Sequence, residues 1–121
     1  MIYRILVTGS RRFTDAAVLE AALLDTWHDV VALGGTIVIV HGHARGADRL
    51  ADAWACRNGV EVERYPADWA TGRGAGPRRN AAMVALGADL VIAAPQGRSL
   101  GTRDCMRRAA QAGIEIVEVT P

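Results

Sequence analysis

Short continuous apolar runs alternate along this chain with stretches whose apolar positions recur every three or four residues. Residues 2–7 form a β-branched run of the kind expected of a strand buried on both faces, and it stops at Thr8-Gly9-Ser10. A helix is predicted from about Thr14, with Asp15 in its first turn. Leu19, Leu23, Trp27 and Val30 share one of its faces, and Gly34-Gly35 ends the unit. Residues 36–40 read as a second buried strand. Ala47, Leu50, Ala51, Trp54 and Ala55 then lie on one helical face, with Asn58-Gly59 as the stop. Residues 60–65 alternate apolar and charged, the pattern of a strand near a sheet edge. Residues 66–77 are irregular and glycine-rich. A helix over about 78–86, a strand over 89–93, a helix over about 102–112 and a strand over 114–119 complete the chain.

Strands that alternate with helices build a mainly parallel sheet with helices on both faces. The expected fold class is therefore α/β, a single Rossmann-like domain spanning residues 1–121. In such a sheet every loop that follows a strand lies at one edge, where ligands bind at the switch in strand order. Three glycine-rich loops fall there: Thr8-Gly9-Ser10-Arg11, Gly42-His43-Ala44-Arg45-Gly46 and Gly97-Arg98-Ser99-Leu100-Gly101-Thr102. Each leads into a helix. Glycine allows close backbone approach, and a helix N-terminus offers free N–H groups to an anion. Ser10, Ser99 and Thr102 add hydroxyl donors. Arg11, Arg12, Arg45, Arg73, Arg78, Arg79, Arg98 and Arg103 lie in or beside the loops, and guanidinium forks suit phosphate.

Composition narrows the chemistry. All 14 basic residues are arginine and there is no lysine, which excludes a P-loop lysine and a Schiff-base lysine. The first loop has neither the Walker pattern nor G-x-G-x-x-G. The second strand ends in His41, where a dinucleotide fold would place an acidic residue. No cofactor is implied. A net charge of +1, with one Phe, two Tyr and three Trp, argues against nucleic-acid binding and leaves single-strand binding as the last of the functional alternatives. No apolar run approaches the roughly 18 residues of a membrane span, and the N-terminal run is too soon broken by glycine for a signal peptide. Cys56 and Cys105 match no zinc or redox spacing. A reducing, cytoplasmic compartment is the expectation.

Four further positions bear on the site. Asp48 either favours the helix dipole at its helix start or bonds a ligand hydroxyl. Trp69 either stacks on a base or plugs the sheet edge. His41 and His43 flank a glycine and lack the further ligands a metal needs, so no metal site is expected. Trp27 and Trp54 belong to the core.

The chain resembles the YspA/YpsA-related branch of the SLOG superfamily, which also holds the Lonely Guy phosphoribohydrolases and the DNA-processing protein DprA. The resemblance spans essentially the whole chain. It rests on Val7-Thr8-Gly9-Ser10-Arg11, His41-Gly42-His43-Ala44-Arg45-Gly46-Ala47-Asp48, Pro66-Ala67-Asp68-Trp69, Gly76-Pro77-Arg78-Arg79-Asn80 and Pro95-Gln96-Gly97-Arg98-Ser99-Leu100-Gly101-Thr102. It implies a Rossmann-like fold and binding of a nucleotide or nucleotide-derived ligand by a sensor or processing module. The phosphoribohydrolases join an arginine of an Arg-Lys pair to a glutamate in P-G-G-x-G-T-x-x-E. Here Arg79-Asn80 resembles the first element, Cys105 stands at the glutamate position, and Asp104 lies one residue earlier.

The expected ligand is thus a small phosphorylated nucleotide-like molecule. Its expected contacts are Gly9, Ser10, Arg11, Gly42, His43, Arg45, Gly46, Asp48, Trp69, Arg79, Asn80, Gly97, Ser99, Gly101 and Thr102. If the ligand is cleaved at its N-glycosidic bond, Arg79 and Asp104 are the first catalytic candidates, with Asp48 and Asp68 as other sources of a carboxylate. A homodimer through helix faces is compatible with the pattern.

Overall fold

A computed structural model describes residues 1–121. Five strands, β1 (Ile2–Gly9), β2 (Thr36–His41), β3 (Glu61–Arg64), β4 (Leu90–Ala94) and β5 (Ile116–Glu118), alternate with four helices. These are α1 (Ala16–Ala32), α2 (Ala47–Arg57), α3 (Ala75–Ala85) and α4 (Leu100–Gln111), and a 3₁₀ turn at Trp69–Thr71 precedes α3. All strand pairs are parallel, in the order β3-β2-β1-β4-β5.

Side chains of successive strand residues point to opposite faces, and both faces are covered. Ile5, Val7, Ile37, Ile39, Ile92 and Ala94 pack with Leu19, Leu23 and Val30 of α1 and Ala51 and Trp54 of α2. Leu6, Val38, Val40, Val91 and Ala93 pack with Met83 of α3 and Cys105 and Ala109 of α4. This is why the inner strands lack alternation. The chain steps outward from β1 to β2 to β3, then returns across β1 to β4 and β5. Right-handed crossovers therefore put α1 and α2 on one face and α3 and α4 on the other. The step direction reverses between β1 and β4, and the loops after these two strands diverge there.

Several boundaries differ from the sequence expectation. α3 begins at Ala75, before Arg78, because Pro77 sits in the first turn, where its missing N–H needs no partner. α4 begins at Leu100, with Ser99 as its N-cap in the left-handed region (φ 44°). β1 and β2 run on to Gly9 and His41, paired with Ala94 and Arg64 respectively. β3 is an edge strand as its pattern predicts. Trp54 is buried, and Trp27 meets it edge-on at 5.5 Å between centroids. Phe13, unmarked by any periodicity, is fully buried beneath the first loop. No helix is long and apolar enough to cross a membrane.

Candidate functional site: a cleft at the strand-order switch

A cleft of about 860 Å³ opens between the loops after β1 and β4 and the start of α3. It brings together Gly9, Ser10, Arg11, Asp48, Trp69, Arg79, Asn80, Gly97, Ser99, Gly101, Thr102 and Asp104. Gly42, His43 and Arg45 line an adjoining smaller hollow instead, and Gly46 lines neither. Asp68 also lies outside both; its Oδ1 accepts from the Ala70 N–H (3.2 Å) and caps the 3₁₀ turn. Thr8, Arg12, Gln96 and Arg98 join the wall. Arg12 and Arg98 are among the loop arginines of the sequence, whereas Thr8 and Gln96, not singled out there, flank the glycine loops at the ends of β1 and β4.

The loop after β4 leaves backbone donors free at the amino end of α4. The N–H groups of Leu100, Gly101 and Thr102 have no protein acceptor, as the first turn of a helix requires. Ser99 Oγ donates to Thr102 Oγ1 at 2.7 Å. Arg103 braces the loop from behind, bonding the carbonyls of Arg98 and Gly97. A Cβ on Gly101 would meet nothing within 4 Å, so backbone is bare to the cleft there.

The other glycines act differently from the sequence expectation. A Cβ on Gly9 would overlap Ala47 and crowd Ala94; one on Gly42 would overlap the Arg79 guanidinium; one on Gly46 would overlap the Ser10 carbonyl. Gly46 also sits at φ 79°, which disfavours any side chain. These three glycines admit protein atoms rather than ligand. They hold the first loop, the start of α2 and Arg79 in close register.

Asp48 is buried at the start of α2. Its Oδ2 accepts from the N–H of Gly42 (3.1 Å) and of Ala44 (3.2 Å), fixing the second loop. Its Oδ1 has no protein donor and belongs to the cleft wall. Burial pushes this carboxyl up to about 6, against the pull of the Ala44 and Gly42 N–H groups and the charges of Arg79 and Arg11. His41, also buried, accepts the His43 N–H at Nδ1 (2.8 Å) and meets Asp52 at Nε2 (2.6 Å). Burial lowers its pKa despite Asp52. Asp52 is held well below the usual carboxylate range, chiefly by the Arg64 fork. His41, His43 and Asp52 come close enough to suggest a metal, yet both His41 nitrogens and both Asp52 oxygens are already hydrogen-bonded within the protein.

The two residues of the phosphoribohydrolase-like pair are joined through Asn80. Arg79 donates from Nη1 to the carbonyls of Gly42 (2.6 Å) and Tyr65 (3.3 Å), and from Nε to Asn80 Oδ1 (3.0 Å). Asn80 Nδ2 donates to Asp104 Oδ2 (3.0 Å) and to the Gly101 carbonyl (3.1 Å). Arg108 and Arg107 take further lone pairs of Asp104. Burial alone would raise the Asp104 pKa, but Asn80 and the two arginines outweigh it and hold the carboxyl down. Asp104 is therefore an occupied, acidic carboxylate in the wall. Cys105 points away into the core, where burial pushes its thiol up to about 11. Trp69 is 52% exposed and does not plug the sheet edge. The outer edge of its ring abuts Gly76, and the Arg11 guanidinium lies over the ring, 5.3 Å from centroid to Cζ.

The model of the YspA, cpYpsA-related SLOG family matches residues 3–72, from β1 to the end of the 3₁₀ turn. The chain belongs to that family. A relative, "Gene 61 protein" of Mycobacterium phage D29, is 46% identical over 120 residues that cover 94% of each chain. That match carries the likeness through the second half of this SLOG domain, including the loop after β4. No solved structure matches the chain. SLOG membership points to nucleotide-related binding or processing, and the cleft lies where a parallel sheet of this order receives its ligands.

Proposed function

We propose that the cleft binds a phosphorylated nucleotide or nucleotide-derived ligand, and that this SLOG domain serves as a sensor or processing module for it. The observation that carries the reading is the amino end of α4. Three unpartnered N–H groups and bare backbone at Gly101 face a cleft whose wall includes Arg11, Arg12 and Arg98, none of them held by a carboxylate. Phosphate belongs against the N–H groups and guanidinium forks. The exposed Trp69 ring, backed by Arg11, offers a flat apolar face to a base.

The test is a thermal-shift screen against nucleoside monophosphates, dinucleotides, NAD and ADP-ribose, with chromatography of each mixture afterwards. A ligand at about 100 times its Kd adds roughly 2.7 kcal/mol of stability, several degrees or more for a domain of this size. No shift and no product across the panel would refute a nucleotide site.

One observation favours a second reading, hydrolysis of an N-glycosidic bond in a nucleoside monophosphate or ADP-ribose-like compound. Asp48 presents a free carboxylate oxygen to the cleft, and burial pushes its carboxyl up to about 6, so near neutrality it is mainly ionised, a stronger base than an ordinary carboxylate, and can take a proton from the attacking water. Asp104, the alternative, has its oxygens occupied. On this reading free base is released, and Asp48→Asn abolishes release while binding persists.

A further inference from the structure

The smaller hollow, about 370 Å³, adjoins the main cleft and shares Arg11, Ala44, Trp69 and Arg79 with it. His43, Arg45 and Arg49 are its own, and no carboxylate lines it. Arg4, Arg57, Arg64, Arg107 and Arg108 each pair with a carboxylate, the last two with Asp104 in the main cleft wall. Arg11, Arg45 and Arg49 make no hydrogen bond or ion pair with protein, and Arg79 bonds only carbonyls and Asn80. Four guanidinium groups gather around one hollow, with the single buried carboxylate of Asp48 in range of Arg79 and Arg11, so positive charge is in excess there in a chain of net charge only +1.

The loop that carries this field is fixed from beneath. The N–H groups of Gly42, His43 and Ala44 all point inward, to Asp48, His41 and Asp48 respectively. His43 is held at φ 58°, an uncommon conformation that persists only where the surroundings impose it. The loop is thus a rigid platform that turns its side chains outward.

We infer that the hollow is a second anion subsite and that the ligand carries two separated phosphates on one nucleoside. One phosphate rests on α4 and the other between Arg45 and Arg49, with the ring beside Trp69. This rests on the nucleotide reading of the main cleft. Nucleoside 3′,5′-bisphosphates and 5′-phosphorylated dinucleotides share this chemistry.

The test is isothermal titration of the full chain with three sets of probes, each made with all four bases: nucleoside 5′-monophosphates, nucleoside 3′,5′-bisphosphates and 5′-phosphorylated dinucleotides. At least one two-phosphate probe should bind about tenfold or more tightly than its monophosphate. Arg49→Ala should abolish that advantage and leave monophosphate affinity within about twofold; Arg49→Glu should do so more strongly. Arg49 makes no side-chain bond, so melting curves should report both variants as folded. Monophosphates that bind as tightly as every two-phosphate probe would overturn the second subsite alone. So would variants that leave the advantage intact or weaken both classes equally. Affinity that keeps rising for 5′-phosphorylated oligonucleotides of four and eight residues would assign the hollow to a nucleic-acid strand and overturn it as well. Absence of binding by any probe would remove the main-cleft reading together with this one.

Discussion

The guanidinium of Arg79 lies directly against the Cα of Gly42, donating to its carbonyl at 2.6 Å, and occupies the space a Cβ at position 42 would need. One contact across 37 residues thereby fastens α3 to the loop after β2. Gly42→Ala must displace Arg79 and should cost roughly 1–3 kcal/mol in urea unfolding. Arg79→Ala leaves two carbonyls and Asn80 Oδ1 short of a donor, at a similar cost. Because both changes break the same contact, the double variant should be less destabilised than the sum of the singles. Simple additivity would show that the two residues are independent.

Gly9 and Gly101 should respond oppositely to alanine. At Gly9 the new methyl collides with Ala47 and Ala94, so stability should fall by about 1–3 kcal/mol. At Gly101 the methyl meets open space within a helix, so the fold should be unharmed or gain up to about 1 kcal/mol. Ligand affinity should nonetheless drop about tenfold, because the methyl stands where phosphate approaches. Unchanged affinity in a Gly101→Ala titration would remove the α4 loop from the site.

Asp48 ties stability to pH. Its carboxyl titrates at about 6 when folded, against an ordinary 3.8, so between those values the folded chain holds more protons at this site than the unfolded chain. Stability from this group therefore falls as pH rises from about 4 to above 6, by about 3 kcal/mol. His41 acts in the opposite sense, since its lowered pKa means stability is lost as pH falls below the ordinary imidazole range. Comparing wild type with Asp48→Asn isolates the first effect. The variant's stability relative to wild type should improve steadily between pH 4 and pH 7. A difference that does not change with pH would show Asp48 to be ionised throughout.

Trp69 can be removed at little structural cost, being half-exposed on a short turn. Trp69→Ala should change the melting temperature only slightly. If the ring stacks on a base, the same variant should lose roughly 1–3 kcal/mol of nucleotide binding, and ligand should quench tryptophan fluorescence of the wild type more than of the variant. Equal affinity in the two proteins would leave Trp69 as a rim residue.

The order of strands and helices, the parallel sheet, the edge position of β3 and the edge on which the loops gather follow from local pattern. Apolar periodicity and glycine position are properties of neighbouring residues, and the crossover rule converts them into topology. The loop Gly97-Arg98-Ser99-Leu100-Gly101-Thr102 was legible for the same reason, since it is a glycine-rich turn into a helix. The roles of individual residues were decided by contacts between distant segments. Gly9 and Gly42 look alike in sequence to Gly101, but only folding shows that Ala47 and Arg79 fill the space at the first two and nothing fills it at the third. Asp104 looks available as a catalytic carboxylate until Asn80, Arg107 and Arg108 converge on it. Asp48 has its raised pKa only because the sheet, α2 and the loop after β2 exclude water around it. Local sequence thus set the framework and the edge of the site, whereas burial, clearance and charge pairing depend on three-dimensional neighbours that no local pattern encodes.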